Sequence, residues 1–158
     1  MFQAVNNDRI RLGKFLPWVP FTQTEMDSLK WIQSTRQWWD EGILFDYGIF
    51  LKESNCYLGN IGVHEIKWEF DRCEIGYWIS GEHEGQGYMS EALRTLEKHL
   101  FDMGFHRIEV RCSSRNERSA NVPKACGYKL DGILREDSIE HEQYRSTLVF
   151  SKLATDQL

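Results

Sequence analysis

The stretch Ile79-Ser80-Gly81-Glu82-His83-Glu84-Gly85-Gln86-Gly87-Tyr88-Met89 is the part of this sequence best suited to chemistry. Strand-like text runs into a glycine turn, and a pattern of helical period follows at once. The first N–H groups of a helix have no internal partners, and its macrodipole makes that end positive. Glycines let a backbone approach a ligand closely. Together these features describe an anion site, suited to a phosphate or pyrophosphate. Two common nucleotide loops are excluded. G-x-x-x-x-G-K-[ST] is absent, and Gly85 and Gly87 are followed by Tyr88, Met89 and Ser90 with no third glycine. Taken alone, the turn serves equally well as an ordinary tight connection.

The turn needs a strand before it and a helix after it. Residues 72–80 supply the strand. Met89, Ala92, Leu93, Leu96 and Leu100 recur with the period of an amphipathic helix, which Gly104 ends. Upstream, residues 43–51 and 56–68 are also rich in β-branched and aromatic residues. Turns at Glu53-Ser54-Asn55 and Phe70-Asp71 make the three strands consecutive and antiparallel. Residues 2–16 read as one helix with an apolar stripe of Val5, Ile10, Leu12 and Leu16, stopped by Pro17-Trp18-Val19-Pro20. Thr24 is an N-cap with Glu25 and Asp27 in the first turn; Met26, Leu29, Ile32, Arg36 and Trp39 follow at near-helical spacing, and Gly42 is the stop. Downstream come a half-buried strand at 106–112, a helix over 117–126 capped by Asn116 and ended by Gly127, and strands near 128–135 and 143–152. The order predicts a mixed α/β (α+β) fold with helices packed on a single sheet.

With 158 residues, 41% hydrophobic and 27% charged, the chain has the composition of one globular domain spanning 1–158. A disordered chain, a collagen repeat and a coiled-coil rod are excluded. Lys and Arg number 19 against 24 Asp and Glu, a net charge of -5, which argues against a nonspecific nucleic-acid binder. No apolar run approaches the ~18 residues of a membrane span. The opening MFQAVNNDRIRLG has no signal-peptide pattern. Cys56, Cys73, Cys112 and Cys126 form no C-x-x-C pair, and the five histidines lack metal-ligand spacing. A reduced, cytoplasmic location, no metal, and no nucleic-acid or membrane partner are expected.

Three ordered segments carry a family resemblance. Cys73-Glu74-Ile75-Gly76-Tyr77-Trp78-Ile79, Glu84-Gly85-Gln86-Gly87-Tyr88-Met89, and Asn116-Glu117-Arg118-Ser119 with Val122-Pro123-Lys124-Ala125-Cys126-Gly127-Tyr128 resemble the GNAT N-acetyltransferases. The similarity is greatest to the RimJ/RimL-like branch, the ribosomal-protein type, and it extends to the early RLGKFLPW segment. It implies a mostly antiparallel sheet with helices on both faces and a splayed strand pair, 73–80 and 106–112, holding the pantetheine arm of acetyl-CoA. Backbone N–H groups of Glu84, Gly85, Gln86, Gly87, Tyr88 and Met89 would hold the pyrophosphate. Trp78 and Ile79 would line the donor, the backbone near Ile79 polarising the thioester carbonyl. Asn116 and Lys124 would also contact CoA; a lysine on a helix is more often a solvated charge. Two departures stand out. Glu84 is an anion close to phosphates, where the family often has Arg or Gln, and Met89 replaces Gly or Ala. The strand that usually precedes the first helix is expected to be missing or replaced by another segment.

The resemblance also implies roles in the chemistry. Ser119 falls where the branch places a serine near the CoA sulfur, a general acid for the leaving thiolate; otherwise it is a first-turn serine bonding locally. Glu74 is the first choice for general base, directly or through water, or else a strand carboxylate paired with Arg111. Glu25 is its rival. Trp18, Glu25 and Tyr77 are candidates for the acceptor site. With Phe21, Trp38 and Trp39, the aromatic residues among them could form its wall, although core is the commoner fate of aromatics. Cys126 is read as a small core residue and His83 as a surface histidine. The expected activity is acetyl transfer from acetyl-CoA to a primary amine of a protein N-terminus or a small molecule, in a ternary complex and by a homodimer. A CoA-binding or protein-interaction module is the alternative, motivated by Glu84 and the missing strand. A nucleotide-phosphate enzyme is disfavoured by the absent loops.

Overall fold

The computed structural model describes residues 1–140 and 142–157; His141 and Leu158, both inside the expected domain, lie outside the described residues. The elements are α1 (Phe2–Asn7), α2 (Arg9–Leu12), α3 (Glu25–Asp40), β1 (Phe45–Phe50), β2 (Tyr57–Lys67) and β3 (Arg72–Ile79). They continue with α4 (Tyr88–Asp102), β4 (Arg107–Ser113), α5 (Glu117–Ala125), β5 (Lys129–Glu140) and β6 (Gln143–Leu153). All six strands form one sheet in the order β1-β2-β3-β4-β6-β5. Every neighbouring pair is antiparallel except β3 and β4. Among the described residues no strand precedes β1, which therefore stands at the sheet edge.

The α4 stripe does what its period predicts. Met89, Leu93, Leu96 and Leu100 are buried with Val63, Ile75, Ile108, Val110 and Phe150 from the sheet and Ala120 from α5. Truncating a fully buried leucine such as Leu93 to Ala would cost about 2–5 kcal/mol. The opposite face is covered near β3 by Val5, Leu12 and Val19, which enclose Trp78. Helical segments thus lie on both faces.

Three expectations need correction. The helix expected over 2–16 breaks at Asp8, whose backbone leaves the helical region at φ -127 and ψ 21. There the Asp8 carboxylate accepts from Arg11 and from the Gly81 N–H, so a long-range bond sets the break. α3 starts at the Thr24 cap, in a full capping box with Asp27. Its Met26, Leu29 and Ile32 side is nevertheless exposed, while Ser28 and Thr35 are buried. The helix packs against α1 and edge strand β1, so its apolar period does not mark its buried side. β5, expected to end near 135, runs to Glu140. The register shift between Leu134 and Ser138 absorbs the charged Arg135-Glu136-Asp137 stretch.

Candidate active site

β3 and β4 pair only from Arg72 and Arg107 to Ile75 and Val110. Beyond that point β3 stays with β2 as far as Ile79, and β4 stays with β6 as far as Ser113. Each strand follows its outer neighbour, and a wedge opens between them. The Ser80 N–H donates to the Leu58 carbonyl at 2.8 Å. Ladder alternation then turns the backbone groups of Tyr77 and Ile79 away from β2, into the wedge. On β4, the bonds Ala154 N–H to His106 O and Ser114 N–H to Ser146 O fix the same alternation, so Arg111 and Ser113 face the wedge.

The glycine turn stands where β3 ends. Gly85 and Gly87 have φ of 73° and 86°, left-handed values that a side chain would strain. α4 starts without a side-chain cap, and its first internal bond is Glu91 N–H to Gly87 O, 3.0 Å. The Glu84 N–H, expected to begin the pyrophosphate row, instead donates to the Gly81 carbonyl at 3.3 Å; among the described residues the N–H groups of Gly85, Gln86, Gly87, Tyr88, Met89 and Ser90 have no acceptor. A diphosphate fits such a row. The Met89 side chain is buried in the core, so only its backbone can serve. Glu84 does not leave a bare anion here: its carboxylate pairs with both Arg11 and Arg118. Arg11 also bonds Asp8, and it donates to the Ile79 carbonyl at 2.7 Å. Bonds from Arg11 and the Gly81 N–H hold the Asp8 carboxyl below its usual range, against the opposing effect of burial. His83 is half-buried, its ring Nδ1 2.7 Å from the Ser80 hydroxyl.

α5 forms the other lip of the wedge. Asn116 caps it, accepting the Ser119 N–H at 3.1 Å. Ser119 is half-buried, its side chain beside the Cys112 thiol, which burial pushes up. Its carbonyl accepts the Tyr77 hydroxyl at 2.8 Å, tying α5 to β3. Burial raises the Tyr77 pKa. Lys124 is exposed and unpaired among the described residues. Cys126 is buried, as expected of a small core residue.

The structure separates several residues that the sequence groups. Trp78, expected to line the donor, points its side chain to the α1–α2 face, and the same alternation commits its backbone to β2. Period two sends Tyr77 to the α5 face instead, away from Trp18, which packs on Trp78 at 5.9 Å. Tyr77 is therefore no part of a wall with Trp18. Glu25 is exposed, near the Met1 amino group. Phe21 is exposed, Trp38 packs on Trp31, and Trp39 packs on Phe45 and Tyr47. No shared aromatic wall forms from these residues.

Glu74 shares the Trp78 face of the sheet. Its Oε2 lies 3.3 Å from Arg111 Nε and its Oε1 4.0 Å from His64 Nε2. The carboxyl is pushed up to about 7; burial is the main cause, Arg111 opposes it, and Glu109 and Glu65 add to it. Glu109 is 5% exposed and sits with Arg107 and Arg111, each at 2.9 Å. Burial raises its pKa, but bonds from those arginines outweigh this and hold it low. Burial lowers the His64 pKa, with Glu65 opposing and Arg111 assisting. A cavity of about 200 Å³ is lined by Glu65, Arg72, Cys73, Glu74, Glu109 and Arg111. Arg111 is foreseeable from the sequence as the Glu74 partner. His64 is not singled out there, although the β2–β3 register places it opposite Glu74. Among the described residues no His, Cys, Asp or Glu cluster could hold a metal, and no helix is long and apolar enough to cross a membrane.

Comparison with known proteins agrees with this geometry. Residues 1–129 match the profile of the acetyltransferase (GNAT) domain. The ribosomal-protein-serine acetyltransferase of Escherichia coli (strain K12) is 27% identical over 158 residues, covering 99% of this chain and 87% of that protein. The ribosomal protein uS5-alanine N-acetyltransferase of the same organism is 23% identical, covering 73% and 61%. The structure superposes on RimL, a ribosomal L7/L12 alpha-N-protein acetyltransferase in complex with coenzyme A, with a TM-score of 0.91 at 23% identity over 96% of this chain and 85% of that one. For the microcin C7 self-immunity acetyltransferase MccE, in complex with acetyl-CoA and AMP, the score is 0.89 at 22% identity over 96% and 84%. Profile, relatives and fold converge: the chain belongs to the GNAT family of acetyl-CoA-dependent N-acetyltransferases.

Proposed function

We propose that this protein acetylates the N-terminal α-amine of a protein by direct transfer, with acetyl-CoA and the acceptor bound together. The observation that carries the donor half is the wedge, which ends in six successive N–H groups without acceptors among the described residues. When bound, acetyl-CoA supplies a thioester carbonyl and a thiolate leaving group. The Ile79 N–H faces the wedge, where it can donate to an oxygen gaining charge, while Arg11 fixes the carbonyl of the same residue. Glu74 takes the amine proton, directly or through water in its cavity, and the Ser119 hydroxyl returns a proton to the sulfur. Lys124 stands by as a phosphate contact.

Matched acidities support this acceptor class. A base near 7 suits an α-ammonium of pKa ~7.7–8.0 far better than a lysine near ~10.4. The ribosomal-protein acetyltransferases among the relatives point the same way. The binding-module alternative loses much of its motive, because Arg11 and Arg118 neutralise Glu84. A homodimer and a cytoplasmic setting belong to this reading, and sedimentation showing only monomer at high micromolar concentration would remove the dimer.

The test is thiol release from acetyl-CoA with two peptides, one with a free α-amine and no lysine, the other N-blocked with a lysine. Release with the first alone is expected. Release with the second alone, or with neither across a panel of N-terminal residues, overturns the acceptor assignment.

A further inference from the structure

We propose that Arg118 is a phosphate-binding residue of the acetyl-CoA site, parked across the wedge by Glu84 until a donor phosphate takes that carboxylate's place. The proposal rests on the acetyl-CoA reading of the wedge.

The two guanidiniums on Glu84 are not equivalent. Arg11 is fixed. It bonds both Asp8 oxygens and the Ile79 carbonyl as well as Glu84, and its side chain is 30% exposed. Arg118 has Glu84 as its sole partner among the described residues, and its side chain is 75% exposed. Glu84 itself is 19% exposed and anchored by Arg11. An exposed ion pair adds little stability, so Arg118 can exchange partners at small cost.

Position supplies the second half of the argument. Glu84 immediately precedes the row of free N–H groups, and Arg118 immediately precedes Ser119 in the first turn of α5. The Glu84–Arg118 pair therefore joins the two lips of the wedge at the anion site. Without ligand, Asp8 and Glu84 balance Arg11 and Arg118, and the row faces a neutral quartet. An anion seated on the row would lie beside the Glu84 carboxylate. Turning Arg118 toward that anion relieves the repulsion, and a guanidinium offers phosphate a bidentate partner. Arg118 is then a ligand group and Glu84 its holder.

Calorimetric dissociation constants test this with wild type, Arg118→Gln and Glu84→Gln. The donors are acetyl-CoA, acetyl-3′-dephospho-CoA and S-acetylpantetheine, which has no phosphate. Arg118→Gln should weaken acetyl-CoA by about tenfold, the scale of a charge-assisted hydrogen bond. It should leave acetylpantetheine within a factor of two, and Glu84→Gln should tighten acetyl-CoA. A surviving defect with the dephospho donor assigns Arg118 to the pyrophosphate; a vanishing one assigns it to the 3′-phosphate. Equal weakening of acetylpantetheine overturns the proposal in favour of a structural role. Weaker acetyl-CoA binding by Glu84→Gln overturns the exchange. Unchanged acetyl-CoA binding by Arg118→Gln overturns the proposal with the donor site intact, whereas a wild type that binds no acetyl-CoA overturns the donor reading itself.

Discussion

Replacing Glu74 by Gln should make the protein more stable and less active, with the stability gain set by pH. The Glu74 carboxyl is raised from 4.5 to about 7, chiefly by burial. Between those values the folded state holds a proton that the unfolded chain releases, so stability falls as pH rises through that window and levels off above it. At ~1.4 kcal/mol per pH unit, the displacement is worth roughly 3 kcal/mol above pH 7. Gln resembles the protonated acid and does not titrate. Arg111 retains Glu109 at 2.9 Å when Glu74 is replaced, so no cation is stranded. Thermal melts of both proteins should coincide near pH 4.5. By pH 8 the variant should melt higher by roughly 6–12 °C for a chain of this length. Wild-type kcat/KM should rise with one ionisation near 7, and Glu74→Gln should lose that limb with most of its rate. A melting difference that stays flat from pH 4.5 to 8 would refute the burial argument. Loss of the limb in Glu25→Gln, with Glu74→Gln unaffected, would transfer the base to the rival carboxylate.

Ser119→Ala should lower kcat by about 10- to 100-fold while calorimetry shows acetyl-CoA binding unchanged within about a factor of two; equal turnover removes the acid assignment. Gly87→Ala meets no atom, but its φ of 86° costs a side chain about 1–2 kcal/mol, so both melting temperature and acetyl-CoA affinity should fall. Thr24→Ala breaks the capping box with Asp27 and should cost about 1 kcal/mol, read as a lower midpoint in urea at unchanged slope.

What the sequence discloses is what neighbouring residues decide. The leucine period of α4, the caps at Thr24 and Asn116 and the glycine turn all depend on a few residues in a row, and all stand where their spacing puts them. The misreadings concern partners far along the chain. The break at Asp8 answers to Gly81, and Glu84 is neutralised by Arg11 at a separation of 73 residues and by Arg118 at 34. Trp78 shows a different difficulty. Its place beside Ile79 suggests the donor site, but in a strand adjacent side chains face opposite ways. The exposed stripe of α3 shows that period identifies a helix before it identifies the buried face.

The wedge explains why the reactive groups need not share a face. Alternation sends Tyr77 to the α5 side with Ser119, and Glu74 to the other side with His64 and Arg111. A closed sheet would seal these groups from one another. Ending the β3–β4 ladder at Ile75 and Val110 opens a passage between the faces, so one thioester could meet an acid on one side and a base on the other. The same divergence leaves backbone groups of Tyr77 and Ile79 without a strand partner, and amides of a pantetheine arm can replace the water that would otherwise satisfy them. Arg11 then breaks the symmetry of that edge. By occupying the Ile79 carbonyl it leaves the N–H as the free group of that residue, a donor placed for an oxygen that gains negative charge. On this reasoning the two short helices before Gly13 belong to the donor site as much as to the core: α1 and α2 close over Trp78 with Val5 and Leu12, and through Arg11 α2 sets the polarity of the strand end where the thioester would lie.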